Sequence, residues 1–291
     1  MLRRGSALPV QSDGRTVLPQ EIAIRLGVFV ALLVLMGAAE AQWPRRERSC
    51  SRGRRWPNNL GIAALNSLTV RAIPPGSATA VAMLVEARHW GLFAAINPAR
   101  WVEFVITLVV LDGVIYGQHV LFHAVPVLWR VHRMHHADLD FDVTTGVRFH
   151  PIEICISAVI KSVAVAILGA PAVAVLSFEV LLNATSMFNH ANLALSSGTD
   201  RMLRWVTVTP DMHRVHHSIL VRETNSNFGF NLSLWDRLFG TYCAQPSAGH
   251  RGMTIGLEQF RDPADERLDR MLLQPWRGGT GAYPILRENA R

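Results

Sequence analysis

Lysine is almost missing from this chain of 291 residues: of 29 basic side chains, only Lys161 is a lysine. Cysteine is equally sparse. Cys50, Cys155 and Cys243 lie far apart and form no CxxC pair, which excludes a disulfide scaffold and a thiolate metal site. Charged residues make up only 18% of the chain, against about a quarter in soluble domains. No polar tract is long enough for a disordered protein, and no repeat of about 20–50 residues recurs. No GxGxxG follows a strand pattern, so no flavin or nicotinamide site is built in. The net charge of +7 raises nucleic acid as a partner. However, most arginines flank apolar segments and no nucleic-acid module is present, so nucleic acid is excluded. Positive charge beside apolar spans is what membrane topology requires.

What is present is hydrophobic sequence, 49% of the residues. Residues 1–20 read as a disordered N-terminal tail. Residues 21–100 read as N-terminal membrane helices. The span Ile22 to Ala41 is long enough for one bilayer crossing, with Arg25 placed to snorkel at its end. A retained anchor is favoured over a signal peptide, because the preceding tail is long and the basic flank that follows is heavy. That flank, Pro44 to Pro57, carries six arginines. Residues 59–73 and 78–96 are two weaker apolar stretches broken at Pro74-Pro75-Gly76; they either cross once with a kink or lie in the interface. Trp101 to Phe122, Ile152 to Leu168 and Ala172 to Asn189 are three further spans, the last two joined by a tight turn at Gly169-Ala170-Pro171. Trp205 and Trp235 are candidate interface anchors. The expected fold is all-α: an integral membrane helical bundle of four or five crossings with a histidine-rich helical cap. Residues 101–260 form the expected catalytic domain and 261–291 a C-terminal tail.

Histidine is the second excess. Ten of the 12 histidines lie between His119 and His217. His119 and His123 are four apart and share one helix face. His132, His135 and His136 repeat this at i, i+3 and i+4, and His213, His216 and His217 do so again. Thr209-Pro210-Asp211 before the last triad reads as a helix start: an N-cap, Pro at the first position and an acid in the first turn. His150 in Phe149-His150-Pro151 and His190 at the end of a span complete the set.

Neutral imidazole is a good ligand for iron, copper, zinc and nickel. Ten rings exceed what one ion accepts, since a tetrahedral zinc site takes four ligands. Two ions sharing a nitrogen-rich set is the natural solution. It fits a non-haem di-iron centre using O2, with zinc as a possible substitute. All ten are candidate metal ligands, and no further catalytic residue is assigned; His89 and His250 are left out. Asp112, Asn183 and Asp211 are candidates to orient the rings from behind. Asp138, Asp140, Asp142, Asn225 and Asn227 lie close to the motifs and read either as ring partners or as caps and turns.

The sequence resembles the membrane-bound fatty acid hydroxylase and sterol desaturase superfamily. The resemblance rests on His119-x3-His123, His132-xx-His135-His136, Phe149-His150-Pro151 and His213-xx-His216-His217. It extends to Asn225-Ser226-Asn227-Phe228-Gly229 and to the run from Trp235 to Tyr242, and it covers about residues 101–260. It implies a helical membrane base carrying a cytosolic cap with two irons, which use O2 to attack an unactivated C–H bond of a lipid. Hydroxylation and desaturation both stay open, as do sterol, fatty acyl, alkylglycerol and carotenoid substrates. Some members carry a further histidine one turn before the ligand on the last span. Ser186 or Met187 stands there in this chain, so that ligand is missing or supplied elsewhere, for instance by His150.

Electrons for such a reaction come from a separate reductase or ferredoxin-like partner, and Arg130, Arg133, Arg214 and Arg222 are candidates for a cationic docking surface. Two other classes compete: a membrane haem protein and a metal-binding protein without oxygenase activity. Haem usually uses single histidines on facing spans, and a carrier leaves the helical spacing unexplained. The reading places the chain in a bacterial inner membrane with the active site facing the cytoplasm. The Arg-rich segment at 45–55 and the histidine motifs then share the cytoplasmic side, although Arg3, Arg4 and Arg15 in the tail argue the other way.

Overall fold

The computed structural model describes residues 14–74 and 76–286, with side chains from Gln20 onward. Among the described residues every regular element is helical. Four helices are long and apolar enough to cross a membrane. These lie in α1 (Gly14–Gln42), α5 (Arg100–Ala124), α7 (Pro151–Leu168) and α8 (Ala172–Asn189). Their outward faces stay apolar, as Val34 and Leu35 on α1 and Val159, Val163 and Ile167 on α7 show. That pattern suits lipid, where helices satisfy their own backbone groups.

Between α1 and α5 run α2 (Arg52–Ala72), α3 (Ala78–Ala87) and α4 (Leu92–Ile96). The break between α2 and α3 falls at the expected Pro-Gly segment. α3 packs on both α7 and α8, and Gly91 then abuts Gly169 in the α7–α8 turn. A Cβ on Gly91 would stand 2.3 Å from the Gly169 nitrogen, and both glycines have positive φ, +94° and +71°. Only glycine permits both the backbone conformation and the approach. Buried Leu111, Ile115, Val165, Val175 and Phe178 form the core among α5, α7 and α8.

At the opposite end the helices carry the cap. α6 (Pro126–His136) continues from α5, and α10 (Pro210–His216) follows a short α9 (Ser197–Leu203). α10 starts as its sequence indicates, with the Thr209 side chain accepting from Met212 N and Pro210 in the first turn. The Arg-rich segment joins this end. Arg45 pairs with Asp211 (3.0 Å), and Arg55 pairs with Asp138 and Asp142 (2.6 Å each). Burial opposes ionisation of Asp138, but Arg55 and Arg148 outweigh it and hold the carboxyl at about 2.

Several expectations change. α1 begins at Gly14, so residues 14–20 are helical rather than tail; residues 1–13, with Arg3 and Arg4, lie outside the described residues. Arg25 does not snorkel. It turns inward to Glu179 (2.6 Å) and Glu21 (2.8 Å). Residues 261–286 are not a loose tail, because Tyr283 is buried and stacks on Trp129 at 5.4 Å, and Ile285 N donates to His123 O (3.0 Å). Residues 287–291 lie outside the described residues. Arg133 and Arg214 are buried, which removes them from the expected cationic surface. The Arg133 guanidinium caps the carbonyls of Gln274, Arg277 and Gly279.

Candidate metal centre

Nine of the ten candidate histidines converge in two buried groups. His119, His123, His132, His136 and His216 form one; His135, His190, His213 and His217 form the other. Within each group the ligand atoms lie within 4.8 Å of one another. α5 supplies the first pair at i and i+4, α6 and α10 supply the triads, and His190 caps the end of α8. The helical spacing splits each triad: His136 faces one group and His135 the other. The groups adjoin, with His136 and His217 stacked at 4.5 Å.

Ring orientation is set from behind. Nδ1 of His119 donates to the Phe228 carbonyl (2.7 Å), Nδ1 of His216 to Ser226 O (2.6 Å), and Nδ1 of His190 to Ser186 O (2.7 Å). Nδ1 of His135 donates to Arg148 O (3.1 Å). Carbonyl oxygen only accepts, so these four rings carry their proton on Nδ1 and leave Nε2 bare. Burial, then repulsion among the rings, pushes His135, His136, His213, His216 and His217 well below the ordinary imidazole range. Burial brings His190 down to about 3. These six rings are therefore neutral at pH 7.

The bare nitrogens face each other. Nε2 of His119 and His216 are 3.0 Å apart, and Nε2 of His135 and His190 are 3.1 Å apart. Two lone pairs at that distance repel unless a cation lies between them. Nitrogens bound at about 2.05 Å to one ion stand about 2.9 Å apart at a right angle and about 3.4 Å apart at a tetrahedral angle. The close Nε2 contacts in the two groups are 3.0 to 3.2 Å. Five rings in the first group exceed the four ligands that a tetrahedral zinc site takes. The donor set thus fits two metal ions.

His150 stands apart from both groups. It is the N-cap of α7: its Nδ1 accepts from Ile152 N (3.2 Å) and its Nε2 donates to Leu272 O (3.2 Å). It does not supply the ligand absent at Ser186 and Met187. The three residues expected behind the rings also act elsewhere. Asp112 accepts from Trp235 Nε1 (2.8 Å) and Leu232 N (3.2 Å), anchoring the loop after α10. Asp211 pairs with Arg214, Arg45 and His250. Asn183 lines a cavity. Asp138, Asp140 and Asp142 hold Arg55 and the backbone at Ser49 and Cys50. Of the loop asparagines, Asn225 accepts from His123 Nδ1 (3.0 Å), whereas Asn227 ties Met212 and Cys243.

The missed residue is Glu153. Its Oε1 accepts from His132 Nδ1 at 2.7 Å, the carboxylate–histidine pair that orients metal-bound imidazoles. The available signal was an acid in the first turn of a span whose only other charge is Lys161.

A cavity of about 780 Å³ opens from this centre into the helices. His119 and His132 line it, with Phe29, Leu33, Phe122, Phe149 and Leu182 among its apolar walls.

Residues 104–241 match the fatty acid hydroxylase family. The chain is 32% identical over 162 residues to ornithine lipid hydroxylase OlsE of Rhizobium tropici, covering 54% of this chain and 48% of that protein. It is 26% identical over 217 residues to alkylglycerol monooxygenase of Xenopus tropicalis, covering 69% and 45%. The human alkylglycerol monooxygenase is 27% identical over 146 residues, covering 50% and 32%. The chain thus spans about half the length of the first two relatives, or less. No solved structure matches it significantly.

Proposed function

We propose that this chain, whose residues 104–241 match the fatty acid hydroxylase family, is an O2-dependent membrane lipid hydroxylase of the fatty acid hydroxylase and sterol desaturase superfamily with two iron ions. The carrying observation is the pair of opposed bare nitrogens in each group. His119, His123, His132, His136 and His216 hold one ion; His135, His190, His213 and His217 hold the other. When bound, the iron pair supplies activation of O2 for oxidation of a C–H bond.

The chain's own residues do the rest. The apolar cavity walls receive a lipid chain and exclude water beside the imidazoles. Glu153 and Asn225 fix the rings of His132 and His123, and backbone carbonyls fix four others. Hydroxylation is favoured over desaturation because the similar proteins are by name a hydroxylase and a monooxygenase. A separate electron donor docks on the cap, which faces the cytoplasm of a bacterial cell. Purified protein supplied with reductant, a ferredoxin–reductase pair and membrane lipid extract should consume O2 and add oxygen to one lipid class. Tight iron with no O2 uptake would instead favour a metal-binding protein.

A further inference from the structure

The far part of the cavity is ionic. Lys161, the only lysine, lines it with Arg25, Arg71 and Glu179. Lys161 Nζ donates to Glu179 Oε1 (2.6 Å), and Arg25 Nη2 donates to Glu179 Oε2 (2.6 Å). Arg25 Nη2 also reaches Thr79 Oγ1 (3.1 Å), and its Nε reaches Glu21 (2.9 Å). Arg25, Lys161 and Glu179 lie within three of the membrane-spanning helices, α1, α7 and α8, where ions are costly and usually functional.

The acceptors do not exhaust the donors. Glu179 spends both oxygens. Lys161 makes one hydrogen bond with three N–H groups to offer, and Arg25 Nη1 makes none among the described residues. Arg25, Lys161 and Arg71 share the cavity lining with Glu179 and Glu153; Glu21 pairs with Arg25 from behind, and Glu153 is taken up by His132 at the other end. Arg71, with no ion pair among the described residues, and the spare N–H groups of Lys161 and Arg25 are left toward the cavity.

We propose that this patch binds the oxyanion of an acidic lipid, a carboxylate or a phosphate monoester, within the cavity. The inference rests on reading the cavity as the lipid site. Glu153, which holds His132, and Lys161 are eight residues apart on α7, about 12 Å along the helix. The patch therefore sets how far from the acidic group the chain meets the imidazoles.

The test is equilibrium binding to purified full-length protein in neutral detergent, using labelled palmitate, palmitoyl lysophosphatidate, hexadecanol and hexadecane. Wild type should prefer an acid to hexadecanol by tenfold or more, and the tighter of the two acids identifies the oxyanion. Lys161→Met should lose that preference and keep hexadecane binding, while Lys161→Arg should retain it. Arg71→Gln, at an exposed position, should weaken acid binding severalfold and serves if Lys161→Met does not fold. Equal binding of acid and alcohol by wild type, or unchanged acid preference in the variants, would overturn the proposal. Failure of hexadecane to bind wild type would overturn the cavity reading itself. Binding is read without turnover, so a failed oxygenase assay leaves this result intact.

Discussion

His135 and His190 meet Nε2 to Nε2 at 3.1 Å, while each gives its Nδ1 proton to a backbone carbonyl, Arg148 and Ser186. The two residues are 55 positions apart. Neither ring can donate across the gap, so the contact is repulsive in the bare chain and stabilising around a cation.

Removing one ring from the second group should empty that group alone. His190→Ala is expected to lower tightly bound metal from about two ions per chain to about one, with loss of lipid oxidation. His250→Ala, buried but outside both groups, should leave metal content unchanged. Elemental analysis of the purified variants reads both outcomes.

Glu153→Gln retains the size of the side chain and loses the charge behind His132. Outer partners of this kind are worth about 10–100-fold in metal affinity. Chelator competition should show that weakening at one ion and no change at the other.

His150→Ala separates a cap from a ligand. Loss of an N-cap costs on the order of 1 kcal/mol, so the melting temperature should drop by a few degrees while metal content stays at the wild-type value. Loss of metal would return His150 to the ligand set.

Acid should destabilise the metal-free protein over a defined window. The His190 ring sits at about 3 in the folded chain against an ordinary 6.5. The unfolded chain therefore binds more protons between those values, and stability rises with pH across them. The contribution is fully present above 6.5 and is lost as the pH falls toward 3. Asp138, held at about 2, adds a second loss that begins below its unfolded value of 3.8 and completes as the pH passes 2. Melting of chelator-treated protein against pH tests the order of the two.

Gly91→Ala should destabilise the fold without touching the centre. The added Cβ would meet Gly169 at 2.3 Å, on a residue whose φ is +94°. A lower melting temperature with unchanged metal stoichiometry is expected.

Much of this was legible in the sequence, for identifiable reasons. The i, i+3 and i+4 spacings dictate shared helix faces, so eight ligand candidates were readable from period alone, and His190 from its place at the end of a span. The four apolar spans were readable from length and hydropathy, and the start of α10 from Thr209-Pro210. Tertiary partners were not. Asp112 and Asp211 lie beside histidines in sequence, yet their carboxylates answer to Trp235 and to Arg45 and Arg214. Glu153 is 21 positions from His132, and only the docking of α6 on α7 brings them together. His150 occupies a family motif, but its local backbone makes it a cap. Arg25 sat where snorkelling was open to it, and Glu179, 154 positions away, drew it inward.

The central claim is two metal ions held by nine imidazoles. Mössbauer spectroscopy with elemental analysis on protein expressed in ⁵⁷Fe medium tests it most directly. The account predicts about two irons per chain in nitrogen-rich sites. One ion per chain, or tetrahedral zinc that iron cannot displace with gain of activity, would contradict it.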